Sequence, residues 1–159
     1  MKFSISKIVK NAILFAIGFS VYITMEVIFR GYSFPIMGLC GGVAIVVLDK
    51  INDRISWDID LFFQGLIGSV FITIMEYIIG CLSLAGYLPM MWDYSHLPLN
   101  YKGIVCVPFS LLWIVLSIIA ILMADAYNYY VLNETRLPYY RIFGLIKFSF
   151  KERTFEKEL

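Results

Sequence analysis

Two glutamates, Glu26 and Glu76, stand inside apolar stretches, and an aspartate, Asp93, follows in an aromatic loop. A carboxylate in hydrocarbon costs about 2.5 to 3.5 kcal/mol on insertion scales unless it is paired, protonated or facing water, so each acid in such a run is a site hypothesis. Glu26 has Arg30 four residues on, the favourable acid-then-base order on a helix face, and a structural ion pair is its plain reading. Glu76 has Ile72, Thr73, Ile79 and Gly80 at helical-neighbour positions and no base among them. It must find a base from another segment, hold a proton or bind a cation. Two readings stay open: clustered carboxylates serving a proton, a cation or a small solute, or a polar latch in which Asp93 caps its loop and Glu76 accepts from backbone N–H groups or Tyr94.

Hydrolytic chemistry finds little support. His96 is the only histidine, which excludes histidine-rich metal sites and histidine dyads, so no catalytic, metal or cofactor set is expected. Cys40, Cys81 and Cys106 lack metal-ligand spacing. A disulfide between Cys81 and Cys106 is geometrically conceivable, since the two flank one loop.

The elements that must position these residues are membrane spans. Of 159 residues, 60% are hydrophobic and 17% aromatic, and the mean hydropathy is +0.80, beyond the roughly 45–50% apolar share of soluble domains. Apolar runs cover 8–29, 34–48, 61–82 and 105–124. A helical span needs about 20 residues, so three fit well; the short second run borrows Ile51 and lets Asp49 and Lys50 reach the interface. Lysines precede the first run, but no small-residue cleavage pattern follows it, so it is a retained span and not a signal peptide. The expected fold is all-α: four transmembrane helices in residues 1–132 with a folded outer loop at 83–105, then an amphipathic tail, 133–159. Within that tail, 139–150 is expected to lie flat on the inner leaflet. Eleven of the 13 Lys and Arg residues fall on one side of these spans, leaving only Arg30 and Lys102 opposite, which puts both termini in the cytoplasm of a multi-pass cell-membrane protein. The lipid bilayer, and not nucleic acid, is the partner of those bases.

Ile17, Gly18, Met25, Glu26 and Ile28 recur as Ile67, Gly68, Met75, Glu76 and Ile78 at an offset of 50, the mark of a parallel duplication of a two-helix unit. Both glutamates then lie in one layer. Gly38 and Gly42 form a small-xxx-small pattern for helix packing, within the bundle or in self-association.

Trp92, Asp93, Tyr94 and Ser95, followed by Pro98, Asn100, Gly103, Cys106, Pro108, Phe109, Ser110 and Trp113, resemble the CmpB-like membrane proteins catalogued as putative ABC-transporter type IV. That resemblance spans the four runs and excludes the tail. It implies a permease or permease subunit. The chain has no Gly-x-x-x-x-Gly-Lys-Ser/Thr loop, so any ATPase is a separate subunit. Glu26, Arg30, Glu76, Trp92, Asp93, Tyr94 and Asn100 are the expected polar cluster. The rivals are a non-transporting scaffold that binds a larger membrane partner and an interfacial lipid-acting enzyme.

Overall fold

A computed structural model describes residues 7–134 and 136–152. Three helices are long and apolar enough to cross a membrane: α1 (Lys7–Arg30), α4 (Leu61–Leu84) and α5 (Val107–Ala126) with its continuation to Val131. A shorter apolar helix, α2 (Pro35–Asp49), follows α1, and a single turn, α3 (Ile51–Arg54), follows α2. Pro35 opens α2 where a missing N–H costs nothing. Asp60 caps α4 by accepting from the Phe62 backbone N–H at 2.9 Å. Lys2, Arg153, Lys157 and the end of the tail lie outside the described residues.

The helices pack as two hairpins, α1 on α2 and α4 on α5, which meet chiefly through α2 against α5 and α4. Small residues set both crossings. A Cβ on Gly18 would lie 2.5 Å from the Gly41 carbonyl oxygen, and one on Gly68 would lie 2.6 Å from Ser117 Oγ. Gly38 and Gly42 press against the rings of Phe19 and Phe15, so the glycine stripe is used between α1 and α2.

The chain is mostly helical and not all-α. Strands β1 (Asn100–Tyr101) and β2 (Val105–Cys106) pair antiparallel in the loop before α5. Strands β3 (Tyr139–Ile142) and β4 (Ile146–Ser149) form a second hairpin, which corrects the flat interfacial segment expected over 139–150. The physical reason is periodicity: Tyr140, Phe148 and Phe150 recur at a strand's spacing of two, and Phe143 and Gly144 take positive φ (51° and 68°), as a tight hairpin turn requires. Tyr140 is fully buried with Leu48, Ile51, Trp57, Leu61 and Ile121. Its hydroxyl donates to Asp125 Oδ2 at 2.6 Å, and burial first, then that carboxylate, holds it above the ordinary tyrosine range. At the tip of the hairpin Phe143 and Leu145 are 76% and 91% exposed.

Asp49 also departs from expectation. It does not reach an interface but turns inward, 5% exposed, accepting from Asn128 Nδ2 at 2.6 Å and pairing with Lys10 Nζ at 3.3 Å. Asn128 arrives there on a π-helical turn, Tyr127–Val131, that extends α5. A buried carboxylate needs such partners, and this end of the bundle supplies both.

Candidate functional site

Glu26 lies one turn before the end of α1, so Arg30 folds back over it on the same face. Arg30 Nη2 donates to Glu26 Oε2 at 2.7 Å, and Ser33 Oγ donates to the same oxygen at 2.5 Å. The other arm of the guanidinium, Nη1, donates to the Met91 carbonyl at 2.7 Å. One arginine thus closes an ion pair and ties the end of α1 to the loop before α5. Its plane also lies over the Tyr32 ring, 4.8 Å from the centroid.

Glu76, 6% exposed on α4, is held differently. Tyr94 Oη donates to its Oε1 at 3.0 Å and Trp113 Nε1 donates to its Oε2 at 2.9 Å, one neutral donor for each oxygen. Among the described residues no base lies within ion-pair distance of it. Desolvation first, and then the Glu76 carboxylate beside it, push the Tyr94 hydroxyl above its ordinary range.

The loop is built to deliver Tyr94. Gly80 leaves room for Ile104, which a Cβ would meet at 2.6 Å, so the loop sits directly on α4. Ser83 Oγ donates to the Pro89 carbonyl at 3.0 Å, and Trp92 Nε1 to the Ile104 carbonyl at 2.8 Å. Asn100 Nδ2 donates to the Leu97 carbonyl at 2.8 Å while its Oδ1 accepts from the Gly103 N–H at 3.2 Å. Asp93 is exposed and bound to its own turn: the Ser95 N–H donates to Oδ1 at 2.8 Å and the Ser95 hydroxyl to Oδ2 at 3.0 Å. Those two bonds, the backbone one first, hold its carboxyl below the usual carboxylate range.

Between the two helical hairpins lies a cleft of about 500 Å³. Glu26, Arg30, Glu76, Trp92 and Tyr94 all line it, together with apolar side chains of α1, α2, α4 and α5. Asp93 and Asn100 do not line it, which corrects the idea of three clustered carboxylates: short side chains in a tight turn satisfy themselves on neighbouring backbone first. Gly38 and Gly42 serve the α1–α2 contact beside it.

Three aromatic residues of this wall, Tyr22, Phe109 and Trp113, stand outside the expected polar cluster. Tyr22 lies four residues before Glu26 on α1, and Phe109 and Trp113 lie four apart on α5. Together with Tyr94 and Trp92 they form a continuous file of rings: Tyr22 to Trp113 at 6.5 Å, Trp113 to Phe109 at 6.3 Å, Phe109 to Tyr94 at 4.5 Å and Tyr94 to Trp92 at 6.4 Å between centroids. The helical spacing that marks one face was present in the sequence, but rings in an apolar span look the same whether they face lipid or a partner. Cys40, Cys81 and Cys106 are all free thiols, so Cys81 and Cys106 are not bridged. A second, polar cavity of about 180 Å³ sits at the opposite end of the bundle, lined by Asp49, Asn128, Glu134 and Arg136 among others.

A family model described as "Putative ABC-transporter type IV" matches residues 13–151, from within α1 past the second β-hairpin. The match therefore takes in most of the tail that the sequence resemblance left out. No curated protein and no solved structure matches the chain.

Proposed function

The chain belongs to the putative ABC-transporter type IV family, and from that membership we propose that it is a multi-pass protein of the cell membrane, acting as a permease or permease subunit whose solute site is the cleft between the two helical hairpins. In this reading α1, α2, α4 and α5 all cross the bilayer. Both termini lie in the cytoplasm, on the side richer in Lys and Arg, and the loop before α5 faces outward. ATP hydrolysis, where it drives the process, belongs to a separate subunit.

The observation that carries the proposal is a cleft of about 500 Å³ whose one isolated buried acid, Glu76, meets only neutral donors. That volume lies within the roughly 300–1,000 Å³ of ligand sites. An acid without a base at membrane depth is costly to keep for structure alone. The scaffold alternative loses its best surface, because Phe15 and Phe19 of the same chain already cover the Gly38–Gly42 stripe.

The test is flux. Purified protein goes into liposomes loaded with a pH-sensitive dye, and proton movement is followed beside uptake of radiolabelled tetraphenylphosphonium, choline and glucose. At least one flux exceeds that of protein-free vesicles and falls to background in Glu76→Gln and in Met25→Trp, which fills the cleft. No flux above background either here or in ATP-supplied native membrane vesicles enriched in the protein, or flux indifferent to both substitutions, overturns the proposal.

A further inference from the structure

We propose that the occupant of this cleft is a lipophilic organic cation, a fully alkylated or arylated ammonium or phosphonium whose charged centre lies against Glu76 among the aromatic rings while its apolar body fills the remainder. This identification rests on the cleft being a solute site, as argued above.

Charge comes first. Among the described residues three formally charged side chains line the cleft, and Glu26 and Arg30 neutralise one another at 2.7 Å. Glu76 is left as the one unbalanced charge, so the cleft favours a single positive charge and opposes an anion. Arg30 does not cancel that preference, because its guanidinium is committed to Glu26, to the Met91 carbonyl and to the Tyr32 carbonyl.

Hydrogen-bonding capacity comes second, and it separates cations from one another. A primary ammonium brings three donors and a hydrated metal ion several ligand positions. Around Glu76 the cleft offers rings instead: Tyr22, Trp92, Tyr94, Phe109 and Trp113. No group of three or more His, Cys, Asp or Glu residues that could hold a metal ion exists among the described residues. A cation with no donors to satisfy loses nothing there and gains the electrostatic attraction of ring faces, the means by which proteins recognise quaternary ammonium groups.

Access comes third. The rim includes Val21 of α1 and Leu112, Ile119 and Met123 of α5, all more than 40% exposed, so the cleft opens on the apolar flank of the bundle. A solute arriving through lipid must carry its own apolar cover, which a lipophilic cation does.

The experiment is equilibrium dialysis of the full chain in mild detergent against radiolabelled tetraphenylphosphonium and tetraphenylborate, ions of the same shape and opposite charge, with empty micelles subtracted. The expected result is a preference of at least about tenfold for the cation. Glu76→Gln removes most of that preference while leaving the anion's weak binding unchanged. Phe109→Leu, which disturbs no hydrogen bond of Glu76, weakens cation binding by about threefold to tenfold. It carries the test where Glu76→Gln does not yield folded protein. Equal binding of the two ions, or cation binding unaffected by either substitution, overturns the inference. Cation binding without any flux in vesicles overturns the transport reading and leaves this one standing; flux with no discrimination between the two ions does the reverse.

Discussion

Replacing Tyr94 by phenylalanine deletes one of the two hydrogen bonds on Glu76 and leaves the ring where it is, stacked 4.5 Å from Phe109. A hydrogen bond to a charged group is worth about 1.5–3 kcal/mol net. Tyr94 is 8% and Glu76 6% exposed, so water does not replace the lost donor and the upper half of that range, about 2–3 kcal/mol, applies. At about 2–4 °C per kcal/mol for a chain of this size, the unfolding midpoint falls by about 4–12 °C. Thermal unfolding of the detergent-solubilised protein, followed by tryptophan fluorescence, reads this directly. The decisive comparison is a second background. Glu76→Leu strands the Tyr94 hydroxyl and the Trp113 N–H as buried donors, each costing about 1–3 kcal/mol. In that background Tyr94→Phe removes a stranded group and costs nothing, or restores stability. The coupling between the two positions is therefore at least about 2–3 kcal/mol. An equal loss from Tyr94→Phe in both backgrounds refutes the reasoning, because the hydroxyl would then be acting through something other than Glu76.

The other expectations are independent of that pair. Gly18→Ala sets a methyl against the Gly41 backbone carbonyl, which cannot move aside as a flexible side chain could, and destabilises α1–α2 packing by about 1–3 kcal/mol in the same melting assay; an unchanged midpoint would show a looser crossing. Lys10→Met takes the base from buried Asp49 but leaves the Asn128 bond, so the loss is about 3 kcal/mol, the low end for breaking a buried pair, and Asp49→Asn in the same protein recovers part of it. Asp93 has a folded pKa below its unfolded value of about 3.9, so its contribution to the loop is present at neutral pH and down to about pH 4, and disappears as the pH falls through the lower folded value. Pepsin cleavage within 85–103 should rise below about pH 4 in the native chain, and Asp93→Asn should remove that onset; an identical onset in both proteins contradicts it.

The helices were legible because hydrocarbon leaves so few alternatives: the apolar runs at 8–29, 34–48, 61–82 and 105–124 lie within a few residues of α1, α2, α4 and α5. The Glu26–Arg30 pair was legible for a local reason, a spacing of four on one helix. Of the two donors to Glu76, Tyr94 is the one the latch reading offers, whereas Trp113 comes from 37 residues away on a helix that crosses, and a single sequence carries no register for that crossing. Asp49 misled because an acid at the end of an apolar run is normally drawn to water; its inward turn depends on Lys10 and Asn128 arriving from opposite ends of the chain. The tail misled by composition. Charges interleaved with aromatics suit a membrane surface, and only the period of two with Phe143–Gly144 between the halves distinguishes a strand pair.

Helix α1 is tied to the rest of the bundle near both ends, through Arg30 on the Met91 carbonyl and through Lys10 on Glu134 at 3.0 Å. The two ties answer differently to ionic strength. Glu134 is half exposed, so mobile ions compete for it and raised salt weakens that tie; the arginine's bond to a carbonyl, partly buried beneath the loop, has no counter-charge for salt to screen. Lys10 keeps its second partner, buried Asp49 at 3.3 Å, so salt weakens only the outer of its two ion pairs. The end of α1 beside Glu76, held by Arg30 on a neutral carbonyl, is thus the end whose tie to the loop raised salt leaves unchanged.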